Sequence, residues 1–189
     1  MKVALLREFS SWSSDQPTLS DGVVSLRPWS SDDVAWVFES CQDLDIQRWT
    51  RVPVPYEIKH AELLTGPLSK TAWDERKGAH FAVTETATGV RLGSIGLVAF
   101  DEGAGVAETG YWTAPEARGT GATTRALQLL ADWAFESAGV VRLELLVEVE
   151  NIKSRAVAER AGFHCDGEMA KKFWRHGAHR DVAMYSRTV

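Results

Sequence analysis

Cysteine is scarce in this sequence, which has only Cys41 and Cys165 among its 189 residues. Two cysteines so far apart exclude a disulfide framework and a zinc cluster built from thiolates. We expect both to be buried thiols in a protein of the reducing cytoplasm. Histidine offers no metal site either, because the five histidines are scattered and the neighbouring pair His176 and His179 has no further ligands close in sequence. The sequence therefore predicts no bound metal.

Long apolar runs and an excess of positive charge are also missing. The only apolar run near the start, residues 3–6, is much shorter than a signal-peptide core, and no uncharged stretch approaches the length of a membrane span. Lysine and arginine number 21 against 26 acidic residues, so the net charge is -5, unlike a nucleic-acid-binding surface. We predict a soluble cytoplasmic protein without a nucleic-acid or membrane partner. The acidic balance is compatible with a cationic amine substrate, and the sequence leaves monomer and homodimer open.

The composition is that of a globular chain with one core. Hydrophobic residues make up 44% and charged residues 25%, which is ordinary for a folded domain of this length. Residues 10–21 are rich in Ser, Asp and Pro and indicate a mobile segment. We therefore predict a flexible N-terminal arm over residues 1–21 and a single domain over residues 22–189.

Hydrophobic periodicity predicts strands first and then alternating helices and strands. The predicted strands are residues 22–28, 80–85, 91–100, 107–112 and 140–149, with a final hairpin that starts at 163 and ends over 181–186. The predicted helices start after residues 31–33 and run over 58–76, from 121 to 139 and over 151–161. Residues 49–56 should form turns, because Pro53 and Pro55 interrupt a helix. The third helix should bury Ala126, Leu127, Leu130, Trp133 and Ala134.

The most informative stretch, residues 108–138, joins an aromatic strand to this third helix through a glycine-bearing loop. Gly119 and Gly121 permit backbone angles that turn several N–H groups toward one point at a helix start. The unpaired amides of a first helical turn and the positive end of the helix dipole favour a phosphate at that point. The sequence therefore predicts a cradle for a phosphorylated cofactor.

Three kinds of nucleotide loop compete for these glycines. A Walker loop needs a lysine at its end, and no lysine lies between Lys77 and Lys153. A dinucleotide fingerprint needs a third glycine, and Thr124 stands in its place. The third kind is the Arg-x-x-Gly-x-Gly/Ala loop, which Arg118 to Thr123 fits except that Thr123 replaces the final Gly or Ala.

That loop and four other motifs in sequence order resemble the GNAT superfamily of acyl-CoA N-acyltransferases. The preceding GYWTAPEAR (110–118) and the later NIKSRAVAERAGF (151–163) match the family, and RWTRVPVPYEIKHAE (48–62) and RDVAMYS (180–186) are similar to its RimJ/RimL branch of ribosomal-protein N-terminal acetyltransferases. The resemblance covers residues 22–187. It implies an α/β (α+β) fold with a mixed, mostly antiparallel sheet of about seven strands flanked by about four helices. Two central strands would separate below the loop and hold the acyl-pantetheine arm of acetyl-CoA.

The resemblance also implies a set of cofactor-binding residues. They lie on the aromatic strand, on the phosphate loop and at the start of the last helix: Trp112, Thr113, Arg118, Gly119, Thr120, Gly121, Ala122, Thr123, Asn151 and Ser154. Two residues depart from the branch. The hydroxyl of Thr123 could itself donate to a phosphate. Arg125 stands where the branch has a glutamate, and it either favours a polyanion or is a solvated helix residue.

Acyl transfer to an amine needs a base for the ammonium proton and a donor for the departing thiolate. The resemblance favours Glu108 as the base, although this glutamate could instead pair with Arg91 across the sheet, and Glu144 on the next strand is the second choice. The tyrosine donor of many GNAT enzymes is replaced by Ala158. Ser154 matches the serine that the RimL branch places near the CoA sulfur. Tyr185 is a further donor candidate or a core residue.

Four tryptophans lie on the elements that would line the acceptor side: Trp29, Trp49, Trp73 and Trp174. They could hold an amine by cation–π contacts or could simply pack in the core. We predict acetyl transfer to a primary amine by direct attack, with a protein N-terminus, a polyamine or an amine-bearing antibiotic as possible acceptors. Transfer of another acyl group such as succinyl, and an acyl-CoA sensor without turnover, are the alternatives.

Overall fold

The computed structural model describes residues 12–189, and it contains one eight-stranded sheet with strand order β1-β2-β3-β4-β5-β6-β8-β7. All neighbouring strands are antiparallel except β5 and β6, which are parallel. The strands are β1 (Leu19–Ser20), β2 (Val24–Pro28), β3 (Ala79–Glu85), β4 (Arg91–Asp101), β5 (Val106–Thr113), β6 (Arg142–Glu148), β7 (His164–Arg175) and β8 (Ala178–Thr188). The predicted mixed, mostly antiparallel sheet is confirmed, with the short β1 as an additional strand.

Helices precede the sheet core in sequence and connect its later strands. They are α1 (Val34–Ser40), α2 (Leu44–Trp49), α3 (Ile58–Leu63), α4 (Ser69–Asp74), α5 (Ala122–Glu136) and α6 (Ile152–Arg160). The single helix predicted over 58–76 is wrong, because a π-helical turn, Leu64–Leu68, separates α3 from α4. That turn contains Pro67, which has no N–H to donate, and Gly66, whose φ of -132° and ψ of -109° are not helical.

Helix α5 packs its apolar stripe against the sheet, as the periodicity predicts. Ala126, Leu127, Leu130 and Ala134 are fully buried, and Trp133 is 9% exposed. This cluster also includes Phe81, Val83 and Ile95 from the central strands. Burying such side chains is the main stabilising contribution to a domain core.

The opposite face of the sheet packs against the early helices. Ala82 belongs to this second cluster, whereas its neighbours Phe81 and Val83 belong to the first, as alternation along a strand requires. Val37 of α1, Ile46 of α2 and other buried side chains complete it: Trp29, Cys41, Tyr56, Ala61 and Trp112. The sheet therefore lies between two layers.

The prediction of a mobile arm is wrong for residues 12–21. Trp12 is 8% exposed and its ring lies 4.6 Å from Trp73 and 5.6 Å from Phe100, centroid to centroid. The Gln16 amide donates to the His80 carbonyl, and β1 pairs with β2. The segment is ordered despite its polar composition, because Trp12 is buried against aromatic rings that are distant in the sequence. Residues 1–11 of the predicted arm lie outside the described residues.

Strands β5 and β6 pair only at their N-terminal ends. The parallel register joins Val106, Ala107 and Glu108 to residues 142–144, and beyond Glu108 and Glu144 the two strands diverge. We call the space between them the β5–β6 gap. The gap opens toward the loop that begins α5. The family resemblance implies that the acyl-pantetheine arm lies in this gap. Among residues 12–189, no helix has the length and apolar character needed to cross a membrane.

Candidate functional site

The loop between β5 and α5 is shaped to expose backbone N–H groups. Gly119 has φ of 78° and Gly121 has φ of 84°, the left-handed region that glycine tolerates best. No heavy atom lies within 4 Å of the position that a Cβ would take on either glycine. Gly121 is the N-cap of α5, so this open space lies at the start of the helix, where first-turn amides have no carbonyl partner within the helix. The predicted phosphate cradle therefore has the right geometry for an anion.

Hydroxyl groups fix the cradle to the strand that precedes it. The Thr113 and Thr123 hydroxyl oxygens are 2.6 Å apart, joining the end of β5 to the first turn of α5. Thr120 donates to the Ala117 carbonyl at 2.8 Å and accepts from the Ala122 N–H at 3.3 Å. Thr123 thus has a structural partner in addition to any phosphate that it could bind.

The guanidinium of Arg118 is engaged by the start of helix α2. It forms ion pairs with Asp43 and Asp45. Asp43 is also the N-cap of α2 and accepts from the Ile46 N–H at 2.9 Å. Burial tends to raise the pKa of Asp43, but the hydrogen bonds from Arg118 and the Ile46 amide outweigh it and hold that pKa below its ordinary value. The sequence did not predict this link between the phosphate loop and α2.

Arg125 lies one turn into α5 and points to the β1–β2 turn. It pairs with Asp21 at 2.8 Å, and its side chain is about half exposed. Its charge is therefore balanced by a local carboxylate. This placement agrees with the alternative in which Arg125 is an exposed helix residue.

Trp112 contributes its backbone rather than its ring to the gap. The indole is 8% exposed and packs 5.5 Å from Trp36, centroid to centroid. The pairing of β5 with β6 ends at Glu108, so residues 109–113 have no partner strand on the gap side. Their backbone groups are available to an extended ligand that lies along β5.

Glu108 lies on the same face of β5 as Trp112, at the point where the gap begins. It is directly opposite Glu144 in the parallel register. Its carboxylate pairs with Arg51 at 2.5 Å, and its side chain is 24% exposed. The considered alternative, a pair with Arg91, is wrong, since Arg91 binds the buried Asp33 instead. The second candidate base, Glu144, pairs with Arg142 at 2.7 Å.

Ser154 and Tyr111 meet on the other side of the gap. The Tyr111 side chain lies on the face of β5 opposite Glu108, as its odd spacing requires, and its hydroxyl is 2.8 Å from the Ser154 hydroxyl. Burial raises the pKa of Tyr111 to about 12, an effect that the Ser154 hydrogen bond partly offsets. Asn151 caps α6 by accepting from the Ser154 N–H at 3.1 Å. Sequence reasoning missed Tyr111, although it belongs to the quoted GYWTAPEAR motif.

Two other candidate positions near α6 are occupied by core residues. Ala158, which replaces the tyrosine donor, is fully buried. The Tyr185 ring is also fully buried, and its hydroxyl accepts from Arg155 at 3.0 Å and donates to Glu159 at 3.1 Å. Of the two possibilities for Tyr185, the structure agrees with the core residue.

The four tryptophans proposed for the acceptor wall lie in different surroundings. Trp73 packs in the α5-side core against Trp133 and donates to the Ser14 carbonyl, so it does not line the acceptor side. Trp174 is 68% exposed and contacts His179 on the β7–β8 hairpin. Trp29 is buried in the same cluster as Trp112, and Trp49 is partly buried with the Arg48 guanidinium over its ring. Trp29, Trp49 and Trp174 stay candidates for the acceptor wall.

Comparison with known proteins identifies the fold and the family. The family model described as "Acetyltransferase (GNAT) domain" matches residues 24–164. Spermidine N(1)-acetyltransferase of Escherichia coli (strain K12) is 27% identical over 160 residues, which are 84% of this chain and 82% of that protein. The structure of Mycobacterium smegmatis RimJ in complex with CoA-disulfide is 26% identical, with a TM-score of 0.79 and coverage of 92% of this chain and 86% of that one.

A further relative is YdaF of Bacillus subtilis (strain 168), which is named provisionally as a ribosomal N-acetyltransferase. It is 39% identical over 98 residues, or 52% of this chain. The match spans about half, 54%, of that protein's length. Because the family model covers most of the sequence, including both the phosphate loop and the start of α6, this chain belongs to the GNAT acetyltransferase family.

Proposed function

We propose that this protein is an N-acetyltransferase that uses acetyl-CoA and transfers its acetyl group to a primary amine by direct attack. The named activity of the Escherichia coli relative and the CoA-disulfide in the RimJ structure support this proposal. The observation that carries it is the β5–β6 gap below the phosphate loop, with a carboxylate on one face of the sheet and a pair of hydroxyls on the other.

The cofactor residues have complementary roles in this proposal. The backbone amides beside Gly119 and Gly121 bind the pyrophosphate, since the space around both glycines is open and lies at the positive end of α5. Trp112 and Thr113 bind the pantetheine arm through the unpaired backbone of β5, and Asn151 contacts it from α6. Arg118 supports the loop through Asp43 and Asp45.

Glu108 and Ser154 supply the proton transfers. An α-amine has a reference pKa of about 7.7 to 8.0 and is largely protonated at neutral pH, so Glu108 accepts a proton before the nitrogen attacks the thioester carbonyl carbon. The new N–C bond forms as the C–S bond breaks, and the departing sulfur receives the hydroxyl proton of Ser154. The Tyr111 hydroxyl contacts the Ser154 hydroxyl at 2.8 Å and so positions the serine beside the sulfur. The second nitrogen proton passes to the Ser154 oxygen, and Glu108 releases its proton to solvent, so both groups are restored.

We also propose that residues 12–189 act as one domain in the cytoplasm. The single sheet, the packing of Trp12 and the two unpaired cysteines support this assignment. Truncation tests whether residues 12–21 belong to the domain. A protein that begins at residue 22 should have a lower unfolding temperature than one that begins at residue 12. Equal unfolding temperatures would contradict the proposal.

The proposed activity is tested by thiol release from acetyl-CoA with a panel of peptides, amino acids and polyamines. We expect turnover with at least one amine, and we expect Glu108→Gln to lower kcat by about 100-fold while the Kd for CoA stays unchanged. Glu102→Gln is the matched control, because Glu102 forms an exposed pair with Arg76 far from the gap in the β4–β5 turn. Binding of CoA without turnover of any amine would favour a sensor, and failure to bind CoA would refute both.

A further inference from the structure

Three arginines meet on the acceptor side of the β5–β6 gap, beyond the groups that the proposed chemistry uses. Arg51 comes from the loop after α2, and Arg175 and Arg180 come from the two strands of the β7–β8 hairpin. The ring of Phe173 lies 5.4 Å from the Arg51 guanidinium carbon and 5.3 Å from that of Arg175. We call Arg51, Arg175 and Arg180 the arginine cluster.

Two carboxylates face the arginine cluster, one from each of the diverging strands. Glu108 on β5 pairs with Arg51 at 2.5 Å. Glu148 on β6 has a side chain that is 5% exposed, and it lies 2.8 Å from Arg175 and 4.0 Å from Arg180. Three cations thus face two anions. The arginine cluster therefore has one positive charge in excess, and it lies on the side of the β5–β6 gap from which an acceptor enters.

The neighbouring ion pairs do not supply the missing negative charge. Glu144 is bound by Arg142, which also binds Asp166. Glu150 faces Arg48 at 3.9 Å. These groups are balanced by partners of their own, and Asp181, which follows Arg180 and so lies on the other face of β8, accepts from the Lys171 N–H. The excess charge therefore stays with the cluster.

The contacts inside the cluster are also incomplete. Nη1 of Arg175 and Oε1 of Glu148 are close but poorly aligned, and neither has a hydrogen-bond partner among the described residues. Burial lowers the pKa of Arg175; Glu148 opposes this effect, and the neighbouring Arg51 and Arg180 add to it. A buried guanidinium with unmet donors is stabilised by an additional anion.

We infer that the acceptor is an amine that carries a carboxylate a few bonds away, and that Arg51 and Arg180 bind this carboxylate. An acidic peptide N-terminus and a free acidic amino acid share this chemistry. The inference rests on the proposed acetyl transfer and specifies its substrate class. A polyamine lacks the anion and meets like charge at the cluster, which disfavours its binding.

The pair between Arg51 and Glu108 links recognition to the chemistry. Without an acceptor, Arg51 holds the carboxylate that we propose as the base. A carboxylate on the acceptor competes for Arg51, whose side chain is 55% exposed and able to move. Glu108 is then available to the ammonium group of the same molecule. An acidic acceptor thereby prepares the base that deprotonates it.

The test compares acceptors that differ only in charge near the amine. The peptides Ser-Asp-Glu-Ala-amide, Ser-Asn-Gln-Ala-amide and Ser-Lys-Lys-Ala-amide are assayed with acetyl-CoA, beside free aspartate and spermidine. We expect the acidic peptide to exceed its neutral counterpart by about tenfold or more in kcat/KM. Faster turnover of aspartate than of the acidic peptide would identify the small molecule as the source of the carboxylate.

Variants of the cluster then separate recognition from catalysis. Arg180→Gln should lower kcat/KM for the acidic peptide about tenfold, so that the ratio of acidic to neutral peptide falls toward one. Arg51→Gln should lower the same ratio, because the carboxylate of the acidic peptide loses one of its two partners. Arg76→Gln is the matched control and should alter neither peptide, since Arg76 pairs with Glu102 in the β4–β5 turn, outside the cluster.

The outcomes distinguish this inference from the proposed function. Equal use of all three peptides, or preference for spermidine, would overturn the acidic acceptor and leave acetyl transfer intact. If no acceptor in the panel is acetylated although CoA binds, the proposed function itself fails. A charge preference that survives both cluster variants would also overturn the inference.

Discussion

At the scale of single residues, Tyr111 bears most directly on the proposed chemistry. Its hydroxyl contacts Ser154 at 2.8 Å, and burial raises its pKa to about 12. The phenol is therefore neutral throughout the pH range of an ordinary assay. We propose that Tyr111 is a positioning residue, because its contact is with Ser154 and not with the reacting sulfur.

Replacement of Tyr111 by phenylalanine tests this role. We expect Tyr111→Phe to lower kcat about five- to tenfold, the value of one hydrogen bond, with an unchanged KM for acetyl-CoA and an unchanged pH profile. In a Ser154→Ala background the same change should have no further effect. Tyr185→Phe is the control, since that hydroxyl contacts Arg155 and Glu159 instead. Additive losses in the double variant would show that Tyr111 does not act through Ser154.

At the scale of elements, the phosphate loop and α2 are connected through Arg118 and Asp43. Asp43 caps α2, and the loop after this helix carries Arg51 to Glu108. The cofactor side and the acceptor side of the gap are thus joined by one short helix. This connection gives Arg118 a structural role besides any direct contact with phosphate.

The two roles of Arg118 differ in their effect on CoA affinity. If Arg118 supports the loop through Asp43, Arg118→Ala should weaken CoA binding only about three- to fivefold in the wild-type protein. In an Asp43→Asn background, which keeps the helix cap, the same substitution should have little further effect on the Kd. A direct charge-assisted contact would cost about 10- to 100-fold in either background. Isothermal titration of CoA at fixed salt measures the difference, with Asp132→Asn on the outer side of α5 as the control.

The elements that the sequence predicted are those governed by local pattern, and the errors arise from contacts between distant residues. The apolar period of α5 predicted its buried face correctly, because inward positions recur every third or fourth residue. The polar segment around Trp12 was predicted mobile, since its burial depends on Trp73 and Phe100, far along the chain. For the same reason the Arg51 to Glu108 pair, separated by 57 positions, had no signal in sequence.

At the scale of the whole molecule, Asp33 joins the sheet to the early helices. Its side chain is fully buried and binds Arg27 of β2 at 2.7 Å and Arg91 of β4 at 2.5 Å. Burial alone would raise the pKa of Asp33, but the hydrogen bonds from both arginines and from the Ser30 N–H outweigh it. The pKa is therefore held well below its ordinary value.

This shift predicts how stability depends on pH. A carboxyl group whose folded pKa lies below its unfolded value of about 3.9 stabilises the fold above that value, and the contribution is lost as the pH falls through the folded pKa. Asp33→Asn should therefore lower the free energy of unfolding by about 3 kcal/mol at pH 7, since it leaves two partly buried arginines without their anion. The difference between the wild-type protein and the variant should shrink as the pH is lowered below about 4.

Urea unfolding at a series of pH values from 7 to 3 measures both quantities. Asp74→Asn is the matched control, because Asp74 forms an exposed pair with Lys70 one turn away on α4, and such pairs contribute little to stability. A stability difference for Asp33→Asn that is the same at pH 3 and pH 7 would assign its effect to packing rather than to charge. A small difference at pH 7 would show that the two arginines find solvent or other partners when the carboxylate is removed.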